Sequence, residues 1–251
     1  MSKLKAVFFD IDDTLYSTSE FSKRARENAV KAMIGKGLRI EEGDCLRELE
    51  EVIREFSSNY EHHFEKLLLR LGEEAYPGVN PAVLVAAAVI AYHDTKFKAL
   101  QPFADVKPAL EVLSKTGLIL GVITMGPQVK QAEKLLRLGL IDYLSPGAIF
   151  ISDQIGVGKP NVKLYVKACR TVGVAPAEAM YVGDNPPNDV DPPNEIGMTT
   201  VLIRREGKYS GLAGVSEPNY QVRTLWDVVE ILGKDCGVAV ERASGRLPGV
   251  S

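Results

Sequence analysis

Short apolar runs that stop abruptly at polar residues constrain this chain more than any other feature. Five recur, at Leu4 to Phe9, Leu118 to Ile123, Ala148 to Ile151, Ala179 to Val182 and Thr199 to Ile203. Each is rich in branched or aromatic residues, as befits a strand buried on both faces of a parallel sheet, where no polar alternation is needed. Segments with helical spacing lie between and after them, at Val106 to Lys115, Gln128 to Leu138, Val162 to Val172 and Leu225 to Leu232. Such alternation predicts a doubly wound α/β sheet.

Residues 17–100 interrupt the pattern. They hold no convincing strand, and Phe21 to Ile34, Glu41 to Phe56, Tyr60 to Leu71 and Pro81 to Leu100 read as helices. Asn80 followed by Pro81 reads as a helix cap with proline in the first turn. The apolar run Ala82 to Tyr92 reads as a buried helix, too short for the roughly 20 residues a bilayer span needs. The expected organisation is an α/β, Rossmann-like, doubly wound parallel sheet core from 1–16 and 101–233. A helical domain at 17–100 is inserted into it, and 234–251 form a C-terminal tail. An insertion after the first strand suits a lid over the carboxyl ends of the strands, with Leu15 to Ser19 and Leu100 to Phe103 as its hinge strands.

Composition narrows the function. With 251 residues, 45% hydrophobic, the chain can bury a substantial core. A net charge of −3 gives no electrostatic reason to expect nucleic acid or a membrane as partner. Cys45, Cys169 and Cys236 are scattered, with no CxxC pair, which argues for a reducing cytoplasm over a disulfide framework. The apolar run after Lys5 stops at Asp10, so no secretory signal is expected. His62, His63 and His93 all fall in the helical insertion, and adjacent histidines on a helix cannot share a face.

Chemistry concentrates where the strands end. In extended chain, Asp10 and Asp12 point the same way. Two carboxylates a few ångströms apart repel by about 4 kcal/mol at an effective dielectric near 20. Such a pair persists only with a cation between them or with one carboxyl protonated. An EF-hand loop would need Gly and Glu where Leu15 and Phe21 stand; a solvated helix start is the other alternative. Thr124, in Thr124-Met125-Gly126, offers a hydroxyl and a glycine turn whose free N–H groups can hold phosphate, although Thr before Gly is also ordinary turn chemistry. Gly158-Lys159-Pro160 is no Walker loop. Gly183-Asp184 closes the fourth run and Asp189 follows. All these groups sit at carboxyl ends of strands, where α/β sheets place their sites.

In order and spacing these residues resemble the motifs of the haloacid dehalogenase-like hydrolase superfamily. Asp10-Ile11-Asp12-Asp13-Thr14 matches the first, Thr124 the second, Lys159 the third, and Gly183-Asp184 through Asp189 the fourth. The insertion at 17–100 is similar to the family's C1-type cap. The resemblance implies a Mg²⁺-dependent phosphatase acting on a small phosphorylated metabolite. Asp10 is then the nucleophile and Asp12 the general acid and base, which requires a raised Asp12 pKa. Asp10, Asp184 and the backbone carbonyl of Asp12 hold Mg²⁺, with Asp189 as a direct or outer ligand. Lys159 neutralises the phosphoryl group, and Thr124, Met125 and Gly126 contact it. Two departures stand out: Met125 where the family commonly has Asn, and Asp191-Pro192-Pro193-Asn194 where a flexible Gly-Ala helix start is usual. A phosphomutase on the same scaffold and a catalytically silent phosphate-binding module are the alternatives.

Overall fold

The computed structural model describes residues 4–57 and 60–240. Of the expected tail, 241–251 lie outside the described residues. In chain order, β1 (Ala6–Phe9) is followed by α1 (Thr18–Gly35), α2 (Glu42–Phe56), α3 (His63–Leu71) and α4 (Pro81–Ala99). Then come α5 (Val106–Ser114), β2 (Ile119–Thr124), α6 (Gln128–Leu138), β3 (Ile149–Ile151), α7 (Ser152–Ile155) and α8 (Val162–Thr171). The chain continues through β4 (Ala179–Gly183), α9 (Pro186–Asp189), α10 (Asp191–Glu195), β5 (Thr199–Ile203), β6 (Tyr220–Val222) and α11 (Leu225–Lys234). Two compact units result, divided between Thr18 and Ser19 and between Leu100 and Gln101.

The α/β unit is built on one parallel sheet with strand order β3-β2-β1-β4-β5-β6. β1 is central, with Phe9 opposite Val122 of β2 on one side and Val182 of β4 on the other. The winding reverses between β1 and β4, and such a switch point opens a crevice at the carboxyl ends of the strands. Both faces of β1 are buried, as its unbroken apolar sequence requires. Ala6 and Phe8 share one face with Ala179 and Tyr181, covered by Leu164, Tyr165 and Ala168 of α8. Phe8 meets Phe150 edge to face at 6.0 Å, and Tyr165 meets Tyr181 at 5.3 Å. The sixth strand, Tyr220–Val222, was not expected from the sequence. It is three residues long at the sheet edge, with Gln221 exposed, and so lacks the apolar run of a central strand.

The helical unit has its own core, including Met33 of α1, Cys45 and Leu49 of α2, Leu67 of α3 and Leu84 of α4. Asn80 caps α4 by accepting from the Ala82 N–H at 2.9 Å, with Pro81 in the first turn. The reading of Ala82 to Tyr92 as a buried helix does not hold. Leu84 and Ala88 turn inward, whereas Val83, Val89 and Ile90 are exposed, Ile90 at 61%. A run rich in alanine has no polar face to mark its outside, so the sequence hid a surface helix. The third helix begins at His63 instead of Tyr60, because Tyr60 closes a turn on the Ser57 carbonyl (3.3 Å) and stacks on Phe56 at 5.1 Å. No helix among the described residues is long and apolar enough to cross a membrane.

Candidate active site

The switch point carries a buried carboxylate cluster. Asp10 extends β1 by one residue, its N–H donating to the Val182 carbonyl at 2.9 Å, which fixes its side chain at the strand end. Asp184 follows β4 directly, and Asp189 returns to the same place at the end of α9. Oxygens from Asp10, Asp184 and Asp189 lie within 4.8 Å of one another. Gly183 makes this return possible. A Cβ there would stand 2.4 Å from the Asp189 carboxyl carbon, so any side chain would displace the carboxylate.

Lys159, 3% exposed, bridges two members of the cluster, donating to Asp10 Oδ1 at 2.6 Å and Asp189 Oδ1 at 2.7 Å. Its peptide bond to Pro160 is cis. Burial opposes its charge, but the Asp10 and Asp189 carboxylates hold its pKa well above the usual lysine range. One ammonium does not offset three carboxylates. Burial raises the Asp10 carboxyl against the pull of Lys159, and the charges of Asp189 and Asp12 help push it to about 7. Burial and the charges of Asp10, Asp189 and Asp13 push Asp184 up to about 9. Asp189 has both oxygens engaged, Oδ1 by Lys159 and Oδ2 by the Asn185 N–H at 3.0 Å. Asp10 and Asp189 share the one Lys159 ammonium, so the cluster of three carboxylates has more acid groups than Lys159 can balance. Clustered hard oxygen donors of this kind fit a divalent cation such as Mg²⁺.

Asp12 lies outside that group. The sequence argument put one cation or one proton between Asp10 and Asp12; instead, each has its own lysine. Lys134 of α6 donates to Asp12 Oδ1 at 2.6 Å and Oδ2 at 2.8 Å. Tyr16 Oη and Thr18 Oγ1 each donate to Oδ1 at 2.6 Å, and Gln131 Nε2 reaches Oδ2 at 3.3 Å. The expectation of a raised Asp12 pKa is thereby corrected. Burial works to raise it, but the Lys134 ammonium and the donated hydrogen bonds prevail and hold it below the usual carboxylate range. Lys134, Gln131 and Tyr16 were all missed by the sequence reading. The available signal was Gln131, a polar residue on the same helical face as Leu135 and Leu138, with Lys134 one turn further on.

Thr124 ends β2 fully buried, and its hydroxyl finds no partner among the described residues. Met125 is half exposed, at 50%. Gly126, at φ 144°, occupies backbone space closed to side chains, but its N–H is not free for phosphate: it donates to Ser152 Oγ at 3.0 Å. A serine contributed by α7 was not visible in the local turn sequence. The prolines after Asp189 start the short helix α10, where no N–H is needed. Asp191 accepts from the Val215 N–H at 3.0 Å and the Ser216 N–H at 2.7 Å, tying down the loop before β6. The departure at Pro192-Pro193 thus leaves Asp184 and Asp189 together.

The chain is similar to known proteins in sequence and in fold. Residues 4–197 match the hydrolase family described as haloacid dehalogenase-like hydrolase. A glyceraldehyde 3-phosphate phosphatase of Methanopyrus kandleri is 46% identical over 240 residues, spanning 92% of this chain and all of its own. One from Pyrococcus furiosus is 39% identical, spanning 94% of this chain and 96% of its own. Among solved structures, a HAD phosphatase from Thermococcus onnurineus superposes with a TM-score of 0.63 at 27% identity, covering 92% of this chain and 98% of that one. The chain belongs to the haloacid dehalogenase-like hydrolase family.

Proposed function

We propose that this hydrolase is a Mg²⁺-dependent phosphatase of small phosphomonoesters, and that glyceraldehyde 3-phosphate is among its substrates. The observation that carries the reading is the pairing of two carboxylate centres at one switch point, Asp10 with Lys159 and Asp12 with Lys134. The names of the full-length relatives supply the substrate. In this mechanism an Asp10 oxygen attacks phosphorus, and the bond from phosphorus to the ester oxygen breaks. This step requires Asp12 to take up a proton beforehand, against the pull of Lys134, and Asp12 gives that proton to the departing alkoxide. Asp12 then takes a proton from a water molecule, which attacks the aspartyl-phosphate and releases inorganic phosphate and the free Asp10 carboxylate. Lys159 offsets charge on the transferring group, and the Thr124 hydroxyl donates to one of its oxygens. Asp10, Asp184 and the Asp12 carbonyl would hold Mg²⁺, with Asp189 beside them. The ion supplies neutralisation of the phosphoryl oxygens when bound.

The helical unit contributes none of these groups, and we assign it to substrate choice, as a C1-type cap. Cys45, Cys169 and Cys236 are all free thiols, which favours the cytoplasm. The test is release of inorganic phosphate from a panel that includes glyceraldehyde 3-phosphate, phosphoglycolate and hexose phosphates. Mg²⁺-dependent release supports the reading. An isomerised sugar phosphate without free phosphate would replace it with a phosphomutase, and binding without turnover with a silent module.

A further inference from the structure

We propose that Arg205 is a positioning residue that braces the turn Asp12-Asp13-Thr14 and so sets the direction of the Asp12 backbone carbonyl offered to Mg²⁺. The inference rests on the Mg²⁺-dependent phosphatase reading and deepens it. Arg205 stands two residues past β5, and its side chain is buried, 9% exposed. The guanidinium is held on three sides. Nε donates to the Thr14 carbonyl at 3.0 Å, Nη2 donates to Asp105 Oδ2 at 2.7 Å, and the central carbon lies 4.0 Å from the centre of the Phe103 ring. Two of these partners are themselves tied down. Asp105 Oδ2 also accepts the Leu225 N–H at 2.7 Å, where α11 begins, and the Phe103 N–H donates to the Leu15 carbonyl at 3.0 Å. A rigid planar fork engaged at two acceptors and stacked on a ring has little freedom left, so the Thr14 carbonyl is fixed against the frame of the sheet.

The turn needs such a brace. Its own backbone closes it on one side only, where the Thr14 and Leu15 N–H groups reach back to the Ile11 carbonyl at 3.4 and 3.0 Å. Asp13 stands at φ 53°, in the left-handed region, where a residue with a side chain stays only when its surroundings hold it. Asp13 is buried, and Gly207 lies against it: a Cβ there would stand 3.0 Å from the Asp13 carboxyl carbon. Arg205 and Gly207 thus hold neighbouring residues of the turn, Thr14 by its carbonyl and Asp13 by its side chain. The Asp12 carbonyl belongs to the peptide that ends at the Asp13 nitrogen, so a change in the Asp13 backbone turns that carbonyl. Lys134 and the other donors on the Asp12 carboxylate hold its side chain and leave this peptide plane to the brace.

Two physical arguments give the effect a signature. Mg²⁺ demands near-ideal octahedral placement of its oxygens, whereas Ca²⁺ accepts looser geometry and more ligands. A turned carbonyl therefore penalises Mg²⁺ more than Ca²⁺. Charge acts in the opposite direction. Removing the Arg205 cation takes away a repulsion on any incoming cation and by itself would tighten the binding of both ions. Weaker Mg²⁺ binding after its loss reports geometry, not electrostatics.

The experiment titrates Mg²⁺ and, separately, Ca²⁺ into wild-type protein and its variants by calorimetry, with no substrate present. For Arg205→Met the Mg²⁺ dissociation constant should rise about 10-fold, as for residues that orient a metal ligand. The Ca²⁺ constant should move by less than about 3-fold. Gly207→Ala keeps Arg205 and adds one methyl group against Asp13; it should weaken Mg²⁺ about 3-fold, again more than Ca²⁺, and it serves where the Met variant does not fold. Leu49→Ala, in the core of the helical unit, is the control for lost stability and should leave both constants unchanged. An unchanged or tighter Mg²⁺ constant in folded Arg205→Met or Gly207→Ala, equal losses for the two ions, or a loss in Leu49→Ala as large as in Arg205→Met would overturn the proposal. Wild-type protein that binds no Mg²⁺ would sink the metal-dependent reading and the proposal together. Wild-type protein that binds Mg²⁺ yet releases phosphate from no ester would sink the phosphatase reading alone, and the same isotherms would still decide for or against the brace.

Discussion

The two compact units solve the problem of burying polar groups in opposite ways. Among the described residues, the α/β unit buries Asp10, Asp13, Thr14, Thr124, Gln131, Ser152, Lys159, Asp184, Asn185, Asp189 and Thr200, while the helical unit buries only Thr95. That threonine is satisfied twice, donating to the Ala91 carbonyl at 2.7 Å and accepting from Asn28 at 2.8 Å. In the α/β unit, Thr14, Thr124, Gln131 and Asn185 each keep a buried oxygen without a partner among the described residues. A buried polar atom left unmet costs about 1–3 kcal/mol. The helical unit is therefore arranged for stability, and the α/β unit gives up stability at one end of its sheet in exchange for chemistry.

That contrast can be broken most decisively at Asp10. Asp10→Asn should lower turnover by at least about 10⁴-fold, because an amide is a poor nucleophile. It should leave the protein folded, since it removes negative charge from an overcharged cluster. Substantial activity in this variant, measured by phosphate release, would show that the buried carboxylates do not carry covalent chemistry.

Metal removal comes next. Excess chelator should abolish phosphatase activity, and added Mg²⁺ should restore it; full turnover after verified removal would contradict the fit of Asp10 and Asp184 to a cation. The metal-free protein should also betray the cluster through its pH dependence. Asp10 and Asp184 are raised from 3.8 to about 7 and about 9, so the folded state holds their protons more tightly than the unfolded chain does. The stability they contribute is greatest at low pH and is lost as pH rises through about 7 to 9. Thermal melting in chelator should therefore drop between pH 5 and pH 9, and saturating Mg²⁺ should flatten that slope. A melting temperature that rises with pH in chelator would reverse the sign and refute the argument.

Smaller effects sharpen the other half of the comparison. Leu49 lies buried in the helical core, and Leu49→Ala should cost about 2–5 kcal/mol by denaturant unfolding. Its turnover of p-nitrophenyl phosphate, under conditions where the variant stays folded, should match wild type. A lost aryl activity would mean that the helical unit supports the chemistry directly. At the low end, Ile90→Lys on the outer side of α4 should change stability by no more than about 0.5 kcal/mol. A large loss would restore the buried-helix reading.

The sheet was legible because parallel strands buried on both faces leave unbroken apolar runs, as at Ala6 to Phe9 and Thr199 to Ile203. Edge position erased that mark from Tyr220–Val222. Asp10, Thr124, Lys159, Asp184 and Asp189 were readable as candidates because each ends or follows a strand, so topology alone brings them to one end of the sheet. Lys134 had no such address. A lysine on an amphipathic helix is ordinarily solvated, and only the packing of α6 aims this one at Asp12, 122 residues away. The expectation for the Asp12 pKa failed for the same reason, since its sign depends on a partner that sequence spacing does not reveal. Ser152, which takes the Gly126 N–H, is likewise a contact across elements.

The places where the chain leaves the α/β unit and rejoins it face each other. The Phe103 N–H donates to the Leu15 carbonyl at 3.0 Å, and Tyr16 forms an antiparallel bridge with Pro102. In evolutionary terms this is a docking port for exchangeable cassettes. Whatever is spliced between those two segments has only to begin and end side by side for the bridge to form. Insertions of very different length and fold could have been traded through this port while the residues of the switch point stayed fixed. Diversity in substrates could then accumulate without the catalytic end of the sheet being rebuilt.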